Sequence, residues 1–314
     1  MKNNRRKYSI FFLMAAVAII DLCFGIFIDS YSAKHPLPGD YLKIEYMMKS
    51  SDEDMLIIGS SVAINAYIPQ IMEDSLGLTC FNGGCNSQTL PFYQCMVEGI
   101  LSRYSPAYIV LSMRKDDLFD EGLGFINLLK PYYGKGYASI DYFLDKQNGR
   151  KSIFLHSNLY RYNTIGCRIL LQYLQSVEKI SRKGFVPHAV PKYPPSLINQ
   201  YAYASPDRRT NPELETCFLK IVDLCRQSGV RLIVTSPPLY IKLPGQGNPY
   251  EFSALENLCK AHNIPFINDS QSAFFLSRPD LFYDNSHLNY FGSEIYTNRF
   301  IDELKEKCVE LSSK

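Results

Sequence analysis

Apolar positions along this chain follow three patterns. From residue 10 to residue 28 they are almost continuous, from residue 54 onward short apolar runs alternate with stretches of helical spacing, and between residues 119 and 215 neither rhythm holds. In the alternating region, the stretch Asp54–Ile58 with its apolar run "MLII" predicts a buried strand. "VAINAYIPQIMEDSLG", directly after Ser61, has apolar residues near helical spacing and predicts one helix closed by Gly77. The short strand "LTCFN", a helix from about Phe92 to Tyr104 and the strand in "SPAYIVLSM" follow. Beyond residue 210 come the helix "NPELETCFLKIVDLCRQSG", the strand in "VRLIVTSPP", the helix "SALENLCKAHN", the strand in "IPFIND" and a C-terminal helix, "SEIYTNRFIDELKEKCVEL". Strands alternating with helices predict parallel βαβ units, and so an α/β fold: a three-layer α/β/α sandwich with a central parallel sheet.

The continuous run at the N-terminus has the length of a membrane-spanning helix, about 20 residues. Lys2, Arg5, Arg6 and Lys7 precede it, so its N-terminal side is expected in the cytoplasm and the rest of the chain outside. A cleaved signal peptide is the competing reading, but its apolar region is shorter, about 7–15 residues, and "DSYSAKHP" offers a poor cleavage site. The expected organisation is a basic cytoplasmic tail over residues 1–7, a transmembrane anchor over 8–29, a linker over 30–51 and an extracytoplasmic domain over 52–314. Residues 119–215 form an insertion that packs over the sheet or caps a cleft. Asp21 interrupts the span, and a carboxylate at that depth costs at least about 2.5 kcal/mol unless paired or hydrated. It is either tolerated there, protonated or drawing water, or it meets a partner in the membrane.

Composition narrows the function classes. A net charge of +2, with no basic run past residue 7, gives no electrostatic footprint for nucleic acid. The nine cysteines include no CxxC pair and no zinc spacing, so no metal or other cofactor is expected, and those within helical patterns (Cys217, Cys225, Cys259) read as buried thiols. "GKG" at 134 to 136 lacks the spacing of a phosphate loop.

Two short stretches carry chemistry. The first predicted strand runs into Gly59-Ser60-Ser61, at the sheet edge where open α/β folds place ligands. "DNSH" sets Asp284 and His287 three positions apart before the last helix, a spacing that lets a carboxylate orient an imidazole whose other nitrogen faces a hydroxyl. Either stretch alone is common. His35, His156, His188 and His262 have no spaced carboxylate and read as surface or structural.

Together, in this order, the stretches resemble the SGNH (GDSL-type) hydrolases. "IIGSS" stands where that family has its nucleophile block, with Ser61 at the nucleophile and Ser60 at the turn. "YDNSHLNYFG" stands at its last block, with Asp284 and His287 as acid and base, and "HLNxxG" before a helix is similar to membrane-anchored bacterial members. The resemblance implies oxyanion donors in the middle blocks. "NGGCNSQ" keeps Asn82 and Gly84 but has Ser87 where the family's donating Gly stands. "SPAYIVLSMRKDDL" puts Asp116 at the place of an Asn, and an ionised carboxylate accepts where an amide donates. Asp116 must then be protonated, paired with Arg114 or Lys115, or turned away. The resemblance implies a membrane-anchored serine esterase or O-acyltransferase that works on O-acyl groups of a cell-surface carbohydrate, in some relatives beside a multispanning membrane acyltransferase. The alternative is a catalytically degenerate module of the same shape that binds glycan or such a partner.

Overall fold

The computed structural model describes residues 2–35, 39–114, 116–119, 122–172, 181–188, 201–202, 210–242 and 250–308. They belong to two compact units, one of residues 1–42 and 126–179, the other of residues 43–125 and 180–314. The chain opens with the long helix α1 (Lys2–Ser32) and the short α2 (Asp40–Lys49). Next come β1 (Met55–Gly59), α3 (Ser61–Ala66), α4 (Pro69–Leu76), β2 (Cys80–Asn82), α5 (Leu90–Leu101) and β3 (Tyr108–Ser112). Then α6 (Ala138–Asn148), α7 (Asn158–Arg161) and α8 (Asn163–Gln172) complete the first unit. The second resumes with β4 (Tyr201–Ala202), α9 (Pro212–Gln227), β5 (Arg231–Ser236), β6 (Ile241–Lys242), α10 (Tyr250–Ala261), β7 (Phe266–Asn268), α11 (Ala273–Leu276) and α12 (Tyr290–Lys307).

The larger unit is an α/β sandwich around a five-stranded sheet of order β2-β1-β3-β5-β7, parallel throughout. Every residue of β1 and β3 is buried, as expected of strands covered on both faces and written as unbroken apolar runs. In this order the chain leaves β1 toward one edge and returns to its other side as β3. The carboxyl ends of β1 and β3 therefore flank the crevice where such sheets bind ligands. A two-stranded parallel pair, β4 with β6, stands apart from this sheet.

One predicted helix is divided. The stretch after Ser61 makes two helices because Pro69 has no N–H to continue the first and starts the second, with Tyr67 extended between them. The linker carries α2, whose Ile44, Met47 and Met48 are buried. A Cβ on Gly83 would strike the Met47 sulfur, and one on Gly99 the Met48 sulfur, so both methionines need a glycine opposite. Of the insertion, residues 120–121, 173–180, 189–200 and 203–209 lie outside the described residues.

In the smaller unit, Ile28 of α1 packs with Tyr41, Tyr162, Ile165 and Ile169. The helix is long and apolar enough to cross a membrane over Tyr8–Ser32. Its burial after residue 20 is one-sided: Gly25 and Ile28 are buried and Asp21 and Phe24 half-buried, at the spacing of one helix face. Leu22, Ile26 and Phe27 on the other face are more than half exposed.

Candidate active site

The site begins where β1 runs out. Gly59 lies beside Ser112 of β3, and a Cβ there would meet the Ser112 carbonyl oxygen at 2.7 Å, so only glycine fits. Ser60 leaves the strand in extended conformation and caps α3, its Oγ accepting from the Val62 N–H at 3.4 Å. Ser61 is then the first residue of α3. Its Oγ lies 2.9 Å from His287 Nε2, and His287 Nδ1 lies 2.9 and 3.0 Å from the two oxygens of Asp284. The structure thus brings Ser61 together with a pair of residues more than 220 positions further along the chain.

The loop that presents Asp284 and His287 is built locally. Asp284 Oδ1 accepts from the N–H groups of Ser286 (2.9 Å) and His287 (3.0 Å), and the Tyr283 N–H donates to the His287 carbonyl at 2.8 Å. Burial works to raise the Asp284 carboxyl. The hydrogen bond and charge of His287 and the two backbone donors outweigh it and hold the group down at about 2. It is therefore ionised across the neutral range and able to fix the imidazole tautomer. The rest of "HLNxxG" anchors the loop. Leu288 is buried, Asn289 caps α12 by accepting from the Gly292 N–H at 3.0 Å, and a Cβ on Gly292 would collide with the Leu281 carbonyl.

The middle blocks line the same edge. Asn82, fully buried, donates to the carbonyls of Ala63 (2.8 Å) and Tyr67 (3.0 Å) and accepts from the Gly84 N–H at 3.1 Å, tying the second block to α3. The Gly84 N–H is thus committed to Asn82 and not open to an oxyanion; glycine is needed there because a Cβ would meet Ile64 N at 2.8 Å. Ser87 is exposed with φ of +53°, the left-handed region that favours glycine. Among the described residues, neither the Ser87 N–H nor the Ser61 N–H meets an acceptor. Holding a Ser in that conformation costs about 1–2 kcal/mol. Ser87→Gly should therefore raise thermal stability by about 0.5–1 kcal/mol, after the larger unfolded-state entropy of Gly. Thermal melts of the two chains test this, and an unchanged or lower melting point would mean that no strain resides there.

Asp116 is a third exposed and forms an ion pair with Arg114, Nε to Oδ1 3.6 Å. Lys115 lies outside the described residues. The adjacent Asp117, fully buried, takes more of the guanidinium: it accepts from Arg114 N (2.9 Å) and Nε (3.1 Å) and forms an ion pair with Nη2 (3.1 Å). Burial pushes the Asp117 carboxyl up to about 7 against the pull of Arg114, while the Asp117 charge raises the Arg114 guanidinium above its already high value. The pair neighbours the turn at Ser60 through buried Tyr93. Burial first, then the Asp117 charge, raise that hydroxyl well above its usual range, opposed by Arg114 and by a hydrogen bond with Ser60.

Two neighbours were not legible beforehand. His188 stacks on Tyr283 (ring centroids 3.8 Å, interplanar angle 9°) and stands edge-on to His287 at 6.0 Å. Its segment is held along α3 and the start of α12, through Asn65 Nδ2 to Val186 O (2.6 Å) and Tyr290 N to His188 O (2.8 Å). Burial and then the charge of His287 lower its pKa. The other is a buried hydroxyl cluster in which Tyr67 lies within 3.4 Å of Ser112, Thr235 and Tyr296. Thr235 belongs to "TSPP", and Ser236 of the same stretch donates to Met113 O at 3.0 Å. No group of three or more metal-ligating side chains occurs among the described residues.

No family model matches the sequence. No curated protein aligns with it significantly. Among solved structures the chain is similar to a psychrotrophic esterase, EstA, from Pseudoalteromonas sp., with 11% identity and a TM-score of 0.40 over 80% of this chain and 96% of that one. It is also similar to an acetyl xylan esterase, AlAXEase, with 12% identity and a TM-score of 0.40 over 79% of this chain and 98% of that one.

Proposed function

We propose that this chain is a membrane-tethered serine esterase or O-acyltransferase of the SGNH type, acting on O-acyl groups of a cell-surface carbohydrate. What carries the reading is the unbroken chain of hydrogen bonds from Ser61 Oγ through His287 to Asp284 at the carboxyl edge of β1. Ser61 attacks the ester carbonyl while His287 takes its proton, and the negative charge on the former carbonyl oxygen faces the main-chain N–H groups of Ser61 and Ser87. The tetrahedral adduct collapses, the carbonyl re-forms, and the alcohol departs with the proton from His287. The acyl-Ser61 ester then passes its acyl group to water, giving a carboxylic acid, or to a sugar hydroxyl, giving a new ester, with His287 again moving the proton.

The apolar span of α1, behind a basic flank, supports insertion in the cytoplasmic membrane with the sandwich outside. A carbohydrate ester as substrate and a multispanning acyltransferase as partner rest on the anchored layout alone, because the Asp21 carboxylate is engaged within the chain itself by Ser157, Asn158 and Leu159.

A second reading, a non-catalytic glycan- or partner-binding module, is favoured by Asp116, a carboxylate near a place that calls for a hydrogen-bond donor. A fluorophosphonate probe decides between them. The full chain in membranes should be labelled, the adduct should map to Ser61, and Ser61→Ala should remove it. A folded chain that stays unlabelled would leave the binding module.

A further inference from the structure

Asp21 stands deep in the apolar stretch of α1, yet its carboxylate is fully occupied. Ser157 Oγ (2.5 Å) and the Leu159 N–H (2.9 Å) donate to Oδ1, and the Asn158 N–H (3.0 Å) and Asn158 Nδ2 (3.2 Å) donate to Oδ2. The approach is close enough to require Gly25, where a Cβ would stand 2.5 Å from Asn158 Cγ. If α1 spans the bilayer, the depth of this contact follows. A span takes about 20 residues at about 1.5 Å each, and the apolar stretch is Tyr8–Ser32. Whichever part of it is immersed, Asp21 lies about 9–16 Å inside the hydrocarbon boundary on the C-terminal side of the helix. Residues 157–159 lie at the same depth.

The surroundings match such a position. Backbone inside a bilayer must find its hydrogen-bond partners within the protein. The N–H groups that open α7 find theirs in Asp21, in Ser157 Oγ (to Tyr160 N, 3.3 Å) and in the Ser157 carbonyl (to Arg161 N, 3.0 Å). Around the Asp21 contact several outward side chains are apolar: Ile153 is 68% exposed, Phe154 54% and Leu159 37%, while exposed His156 lies between them and exposed Asn163, Thr164 and Arg168 follow on α8. Exposed Arg150 and Lys151 come just before them, where long cationic stems can return to headgroup phosphates. On α1 itself Leu22, Ile26 and Phe27 are likewise exposed.

We infer that residues 153–159 form a membrane-inserted element in the leaflet that α1 crosses last, with Ile153, Phe154 and Leu159 against lipid acyl chains and Asp21 as its internal polar anchor. The inference rests on α1 spanning the membrane, and it makes the smaller unit an embedded platform instead of a single tether.

The chain contains no Trp, so Phe154→Trp or Ile153→Trp introduces one fluorophore into the full protein. Each variant is reconstituted in phosphatidylcholine vesicles with or without bromine on the acyl chains, and Phe12→Trp reports on α1 itself. Brominated lipid should quench all three variants at least about twofold, as expected for indoles among acyl chains. Quenching of the Phe12→Trp variant alone would keep the span and overturn the inserted element, leaving its apolar surface to water, a second copy or a protein partner. Quenching of none would overturn the span and the inference together. Ile153→Trp guards against a local effect of replacing Phe154, whose ring lies 5.8 Å from that of Tyr160.

Discussion

Ser61→Ala and His287→Ala should each slow hydrolysis of an activated acyl ester at least about 10³-fold, and the double variant should be no slower than the worse single one. The reason is geometric. His287 does nothing for the reaction except through the Ser61 hydroxyl 2.9 Å from its Nε2, and Ser61 is a weak nucleophile without a base to take its proton. Two groups that act as one unit lose their contribution once, so their costs cannot add. The loss should fall on kcat with KM nearly unchanged, because neither side chain is asked to bind the ground state. Steady-state rates of the full chain and its three variants on a chromogenic acetyl ester test this. Additive losses would mean independent roles and would remove the relay. An active Ser61→Ala variant would shift suspicion to Ser60, but that hydroxyl is buried and already accepts from Val62 N, which suits a cap.

Much of this site was legible in the chain because it depends on local chemistry. Gly59 before two serines announces a strand end with no room for a side chain, and Asp284 and His287 meet within one turn whatever surrounds them. The parallel sheet was legible for a similar reason: β1, β3 and β5 are apolar runs that cannot stand at a surface. The break at Pro69 could have been read from the proline itself, since the hydrophobic spacing continues across it while the hydrogen-bond ladder cannot. Long-range partners were not legible. His188 comes to His287 from an irregular stretch across 99 positions, held through its segment's main-chain carbonyls by the Asn65 side-chain amide and the Tyr290 N–H, which leave no pattern in sequence. Asp21 is of the same kind. A lone carboxylate in an apolar run declares that it needs a partner without saying which, and its partner is a turn 136 positions away. The middle blocks fall between these cases. Alignment drew attention to Asp116, whereas the pair that dominates that loop is Arg114 with the buried Asp117 next to it.

Arg114→Ala should therefore be among the most destabilising single changes in the larger unit, by about 3 kcal/mol once the pH is well above neutral and Asp117 is ionised. Asp117 has no exposed surface, and among the described residues the Arg114 guanidinium is its side-chain counter-charge. Removing the guanidinium leaves a buried carboxylate that must be held uncompensated or take up a proton. The sign of the pH dependence follows. The Asp117 carboxyl, already at about 7 in the native protein, is above its unfolded value, and losing Arg114 raises it further. A group raised on folding favours the fold at low pH and withdraws that support as pH rises through its folded value. The deficit of Arg114→Ala should thus be small near pH 4, grow through the neutral range and be largest above it. Adding Asp117→Asn should recover part of the loss and flatten that dependence, since an amide needs hydrogen bonds but no cation. Circular-dichroism melts of the full chain in detergent, taken across this range for the native, single and double variants, provide the measurement. A deficit independent of pH would show that Arg114 contributes packing through its stem instead of charge, and would remove the Arg114–Asp117 pair as the support of the loop that follows β3.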